Sequence, residues 1–139
     1  MRFMLLMIPK GYETAEPGID LDPARVEPMM KFNDDLRKAG VLVALDGLHP
    51  PSSGARVSFS NGEAFVTDGP FAEAKEVLGG YWVIEVESRA AAIEWATRCP
   101  GADNEVIEVR QIQQFDDYSE PVQEIVGRYD DMPMNARKR

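Results

Sequence analysis

The run Asp68-Gly69-Pro70-Phe71 is the most unusual local sequence in the chain. Asp favours a turn closed by its own side chain, Gly admits positive φ, and Pro stiffens the exit. Phe71 is expected to drop an aromatic ring back onto the domain. Two readings follow. One is a rigid corner between two elements. The other places Asp68 at the mouth of a pocket, with Gly69, Pro70, Phe71 and Tyr81 as ligand-binding residues. There the Asp68 carboxylate would act as a general base or hold a cationic or hydroxyl-bearing ligand. His49 is the only histidine. It follows a strand and lies in a loop, where functional groups concentrate, and imidazole is the side chain that switches charge nearest neutral pH. It is either a solvated loop residue or a catalytic partner of Asp68; sequence alone does not place the two side by side. Tyr81, Trp82 and Phe71 either line the pocket or belong to the core.

Other chemistry finds less support. One His, one Cys and scattered acids offer no metal-ligand spacing, so no metal and no cofactor is expected. The pair Asp116-Asp117 reads as solvated surface rather than a calcium site. Gly79-Gly80 lacks the further glycines and the helix of a phosphate loop, and reads as the approach to a strand. No serine nucleophile elbow is present. Cys99 ends an apolar helical pattern with no activating base nearby, and reads as a buried structural thiol. With no second cysteine, no internal disulfide forms, which fits a reducing, cytoplasmic setting.

The elements that must position these residues are legible from periodicity and turn chemistry. Phe3 to Ile8 is a continuous apolar run ending at Pro9, expected as a central strand buried on both faces. It is too short for a signal peptide and lacks a cleavage site. Gly11 to Asp20 reads as an exposed loop. Asp22 caps and Pro23 opens a helix whose Met29, Phe32, Leu36 and Ala39 face the sheet, and Gly40 ends it. Val41 to Leu48 is the second strand, running into the turn segment His49 to Gly54. Arg56 to Ser60 and Glu63 to Thr67 flank Asn61-Gly62, a strong hairpin signal because both turn residues need positive φ.

Ala72 to Glu76 is expected to form one or two helical turns. Tyr81 to Glu87 is a strand with Trp82, Ile84 and Val86 on one face and Tyr81, Val83 and Glu85 on the other. Ser88 caps a second long helix with Ala92, Trp95, Ala96 and Cys99 as its buried stripe, and Pro100-Gly101 stops it. Val106 to Ile112 is the last clear strand. Ser119 to Tyr129 is expected as a terminal helix and Met132 to Arg139 as a frayed tail.

Without the inserted hairpin the order is β-α-β-β-α-β, the ferredoxin-like pattern of an α+β domain. Its helices cover one face of an antiparallel sheet. The other face is expected to be apolar and to be hidden against a second copy, giving a homodimer. The expected division is a ferredoxin-like domain over 1–114 and a C-terminal extension over 115–139. The 139 residues carry a formal charge of −9, from 24 acids against 15 bases. That charge speaks against nucleic acid and against an anionic membrane surface as partners.

The segment Val66 to Glu76, followed by Gly79-Gly80-Tyr81-Trp82, resembles the YCII-related proteins of the DGPF type, which take their name from the Asp-Gly-Pro-Phe tetrad. Phe32-Asn33, Leu36, Ala39-Gly40 and Gly47-Leu48-His49-Pro50 are also similar to that group. The resemblance covers about Met1 to Gln113. It implies a dimeric α/β barrel, a bacterial origin and no settled activity. Some broader relatives look like enzymes, with a His at the start of the first helix and an Asp near the end of the second. This chain has no His between Pro23 and Lys38, and its second helix ends Thr97-Arg98-Cys99-Pro100. Some DGPF-type modules look to be associated with extracytoplasmic-function sigma factors. Two functions therefore stand: a dimer that binds or transforms a small molecule near Asp68, and a non-catalytic module linked to transcription regulation.

Overall fold

A computed structural model describes residues 1–19, 21–129 and 131–132. Four strands form one antiparallel sheet: β1 (Arg2–Ile8), β2 (Leu42–Gly47), β5 (Gly80–Glu85) and β6 (Val106–Gln111). Their order is β2-β5-β1-β6. Helices α1 (Pro23–Lys38) and α2 (Arg89–Thr97) supply the two crossovers. This is the ferredoxin-like α+β arrangement. The hairpin β3 (Ala55–Ser60) and β4 (Glu63–Asp68) is inserted between β2 and β5 as a separate two-stranded sheet. Helix α3 (Glu120–Gly127) follows the sheet. The tail expected beyond Met132 lies outside the described residues, and where the domain ends within 115–139 stays an expectation.

Local chemistry accounts for the ends of these elements. The Asp22 carboxylate accepts the Ala24 N–H at 3.0 Å, and Pro23 occupies the first helical position, where a missing donor costs nothing. The helix runs on through Pro28, because Phe32 and Leu36 beyond it are buried in the core. At its end Gly40 takes φ 74°, its N–H bonds the Arg37 carbonyl, and the Val41 N–H bonds that of Leu36. That is the paired closure a left-handed glycine permits. Ser88 caps α2 by accepting the Ala91 N–H at 3.1 Å. The hairpin turns on Asn61 and Gly62, at φ 52° and 78°, as the Asn-Gly pair requires.

The core lies between the sheet and α1 and α2. Phe3, Leu5 and Met7 of β1 point into it with Trp82 and Ile84 of β5, Phe32 and Leu36 of α1, and Ala92 of α2. Phe32 and Trp82 meet edge to face with centroids 5.5 Å apart. The Trp82 indole N–H donates to the Asn33 side-chain oxygen at 2.7 Å, so α1 is tied to β5 by packing and by a hydrogen bond.

Three expectations need correction. β1 is central, but it is fully buried on one face only, and Met4, Leu6 and Ile8 are half-buried because no helix covers their side. That open face is mixed rather than apolar: register places Val83, Ala44 and Val106 on it, but also Asp46, Tyr81, Glu108 and Arg110. Ala72 to Glu76 is not helical; a single turn closes from the Ala74 N–H to the Phe71 carbonyl. Five mostly charged residues cannot offset helix nucleation without an apolar face to bury, and none of these five is buried.

Candidate functional site

The Asp68–Phe71 corner is built against the loop after β2. The Gly69 N–H donates to the Gly54 carbonyl at 2.8 Å. A Cβ on Gly69 would lie 1.7 Å from the Pro51 carbonyl oxygen, so backbone packs directly on backbone and only glycine fits. The Gly69–Pro70 peptide is cis. Pro50, the residue before Pro51, is fully buried. Phe71 is half-buried rather than a core anchor, and the Arg56 guanidinium lies 4.1 Å over its ring. The corner thus ties the base of the hairpin to the loop that carries His49.

Two further loops meet there. The Leu48 N–H donates to the Gly79 carbonyl at 2.9 Å, and the Gly79 N–H donates to that of Met7 at 2.8 Å. A Cβ on Gly79 would sit 2.8 Å from the Pro9 ring, and one on Gly80 would sit 2.8 Å from the Asp46 carbonyl oxygen. The double glycine is therefore a close-approach device, in line with its reading as the approach to a strand. The Tyr12 hydroxyl donates to the Leu48 carbonyl. Burial pushes the Tyr12 phenol above its ordinary range. Four segments converge at this end of the sheet: the loop after β1, the loop after β2, the corner after β4 and the glycines opening β5.

The predicted site residues separate on this frame. Asp68 and His49 are both exposed, and no hydrogen bond or ion pair joins them among the described residues. Trp82 is core, on the helix-covered face. Tyr81 is on the open face, and its hydroxyl donates to the Asp46 carboxylate at 2.9 Å. That carboxylate, by accepting the hydrogen bond and by its charge, holds the Tyr81 phenol above the usual range. A protonated phenol aimed at a carboxylate fixes the acid's orientation and leaves its other lone pairs for a donor. Asp46 was not singled out from the sequence. Its signal is a lone acid in the otherwise apolar strand Leu42–Gly47.

A concavity lies away from these residues. A shallow groove of about 530 Å³ runs between α2 and β6, lined by Arg89, Ile93, Cys99, Glu105 and Ile107 among others. Burial, with a smaller push from Glu105, raises the Cys99 thiol to about 11, so it is a protonated, unreactive thiol near neutral pH. Burial works against ionisation of Glu105, but the Arg25 guanidinium at 2.6 Å and the Ala102 N–H at 2.8 Å outweigh it and hold the carboxyl below its ordinary range. No group of three or more potential metal ligands occurs among the described residues. No described helix is long and apolar enough to cross a membrane.

Comparison with known proteins gives the family. A family model described as the YCII-related domain matches residues 1–116. The chain is also similar to the uncharacterized protein R00369 of Rhizobium meliloti (strain 1021), with 41% identity over 59 residues. That match takes in 42% of this chain and 48% of the relative, so it spans about half the length of the curated protein.

Proposed function

The chain belongs to the YCII-related domain family, and we propose that it works as a homodimer that binds a small cationic or hydroxyl-bearing molecule at the converging loops. The observation that carries this reading is the Tyr81–Asp46 pair, a phenol and a carboxylate already oriented on the sheet face that no helix covers. Asp46 is the anionic acceptor, and Tyr81 is the group that fixes its direction. Asp68 and His49 stand on loops joined at the same end of the sheet, where they would contact the outer part of a ligand. A second copy laid on the open face would cover the half-buried Met4 and Leu6 and the exposed Asp46 and enclose that surface.

Sedimentation velocity tests the pairing. A thermal-shift screen of small amines and polyols tests the site, with wild type beside Asp46→Asn, Tyr81→Phe and Asp68→Ala. The expected result is a probe that raises the wild-type melting temperature and loses its effect in Asp46→Asn. Equal responses in wild type and Asp46→Asn would remove the site. A protein that is dimeric, answers none of the probes and holds a protein partner from its host would instead favour a regulatory module.

A further inference from the structure

The hairpin Ala55–Asp68 has no role in the site beyond its base. Every residue of both its strands is exposed. The register pairs Val57 with Val66 and Phe59 with Ala64, which places these four side chains on one face. Phe59 is 79% exposed, Val66 70% and Val57 55%. The other face carries Arg56, Ser58, Ser60, Glu63 and Thr67, with Phe65 its one large apolar side chain. One face is therefore apolar from Val57 and Val66 outward, with Ala55 and Asp68 at its base, and the other is chiefly polar, the pattern of a ribbon that lies on something.

We propose that this hairpin is a clasp whose Val57–Phe59–Ala64–Val66 face lies on a second copy of the chain. The inference rests on the homodimer reading given above. Three observations favour a second copy as the occupant. First, an isolated two-stranded hairpin is marginal in water, and among the described residues this one is tied to its own body at its base, by the Gly69–Gly54 hydrogen bond and the Arg56–Phe71 contact. Second, its strands carry no lysine and no proline, the usual guards of an exposed strand edge.

Third, a stable pair needs about 800 Å² from each partner. The open sheet face alone offers side chains that are already half-covered and interrupted by Asp46, Glu108 and Arg110. The hairpin adds an apolar patch on the order of 300 Å², the size at which exposed patches mark contacts. It springs from β2, the edge strand of that same sheet, so its contact would continue the interface rather than start another. Each chain is formally −9, and on this ribbon face the only charge is Asp68 at its base, so the stretch from Val57 and Val66 to the tip meets a like-charged twin with little repulsion.

The test compares wild type, the double variant Phe59→Lys/Val66→Lys and the opposite-face variant Phe65→Lys by sedimentation velocity. Circular dichroism serves as a check on folding. The expected result is a wild-type dimer, association about 100-fold weaker in the double variant and a dimer retained in Phe65→Lys. A wild-type dimer with undiminished association in the double variant overturns the clasp and leaves the pairing intact. Equal loss in Phe65→Lys means that the hairpin was merely disrupted, and it overturns the assignment of the face. A wild-type monomer removes both the pairing and the clasp. Hydrogen exchange over 55–68 gives an independent readout. Protection that rises with protein concentration is expected, and protection independent of concentration would mean that the arm packs on its own chain.

Discussion

Gly69→Ala tests the corner on which the site depends. The added methyl would lie 1.7 Å from the Pro51 carbonyl oxygen, far inside van der Waals contact. The obstacle is backbone, so no rotamer relieves it. Corner and loop must separate, and the 2.8 Å bond from the Gly69 N–H to the Gly54 carbonyl lengthens or breaks. Forced overpacking costs roughly 1–3 kcal/mol, and a lost hydrogen bond about 1 kcal/mol more. Alanine returns about 0.5 kcal/mol by narrowing the unfolded ensemble. The net is a loss of about 2 kcal/mol, or roughly 6 °C in melting temperature for a chain of this size. Urea unfolding at fixed protein concentration measures it. Gly127→Ala is the control: its Cβ meets nothing within 4 Å, and it sits in α3, where alanine should be neutral or slightly stabilising. A Gly69→Ala loss below about 0.5 kcal/mol would refute the packed corner, since adding back the unfolded-state gain of about 0.5 kcal/mol leaves a native-state cost of no more than about 1 kcal/mol, too little for a backbone clash and a lost hydrogen bond.

Three other outcomes are expected. Because burial raises the Cys99 thiol to about 11, alkylation should be slow from pH 7 to 9 and accelerate only toward that value; rapid modification at pH 7 would contradict it. The Glu105 carboxyl is held below its ordinary value of 4.5 in the fold, so its contribution is present above that pH and is lost as pH falls through the folded value. Arg25 is half exposed, and screening limits the pair to about 1 kcal/mol. Urea midpoints of wild type and Glu105→Gln should therefore differ at pH 7 and converge as the pH falls below the folded value. Gly62→Val places a β-branched residue at φ 78° and should lose about 1–2 kcal/mol of hairpin stability, read as faster hydrogen exchange over 55–68.

Much of the fold was legible because each element carried its own local signal. Asp22-Pro23 and Gly40 mark the two ends of α1, Ser88 the start of α2, and Asn61-Gly62 the hairpin turn. The misreadings share a cause: they concern what lies across space. Alternation in β1 is hidden because Met4, Leu6 and Ile8 are as apolar as Phe3, Leu5 and Met7, and only the placement of the helices separates the two sets. Phe71 looks like a core residue by type, yet the corner turns it toward Arg56. Asp46 drew no notice because a single acid in a strand has no spacing to read; its meaning comes from register, which sets it opposite Tyr81. Asp68 and His49 drew notice by type and remain exposed and unbonded to each other.

Register and exposure decide how a ligand would be held. Asp46 and Tyr81 are fixed by the ladder between β2 and β5, whereas Asp68 ends a strand of an exposed ribbon. A carboxylate open to water gains little from a cationic ligand, because the solvent screens the attraction to about 1 kcal/mol at contact distance. The same carboxylate under a second copy would gain several times more, since the water between the charges would be removed. Binding at Asp46 and pairing of chains would then be linked, each strengthening the other by the same factor. Any amine or polyol that stabilises the wild type should accordingly shift its sedimentation toward the dimer. At concentrations where the Phe59→Lys/Val66→Lys variant is dissociated, it should bind that probe at least about tenfold more weakly, although its Asp46 and Tyr81 are untouched. Equal affinity in the two proteins, measured by titration calorimetry, would show that the Asp46 site is complete in one chain and that the twin adds nothing to it.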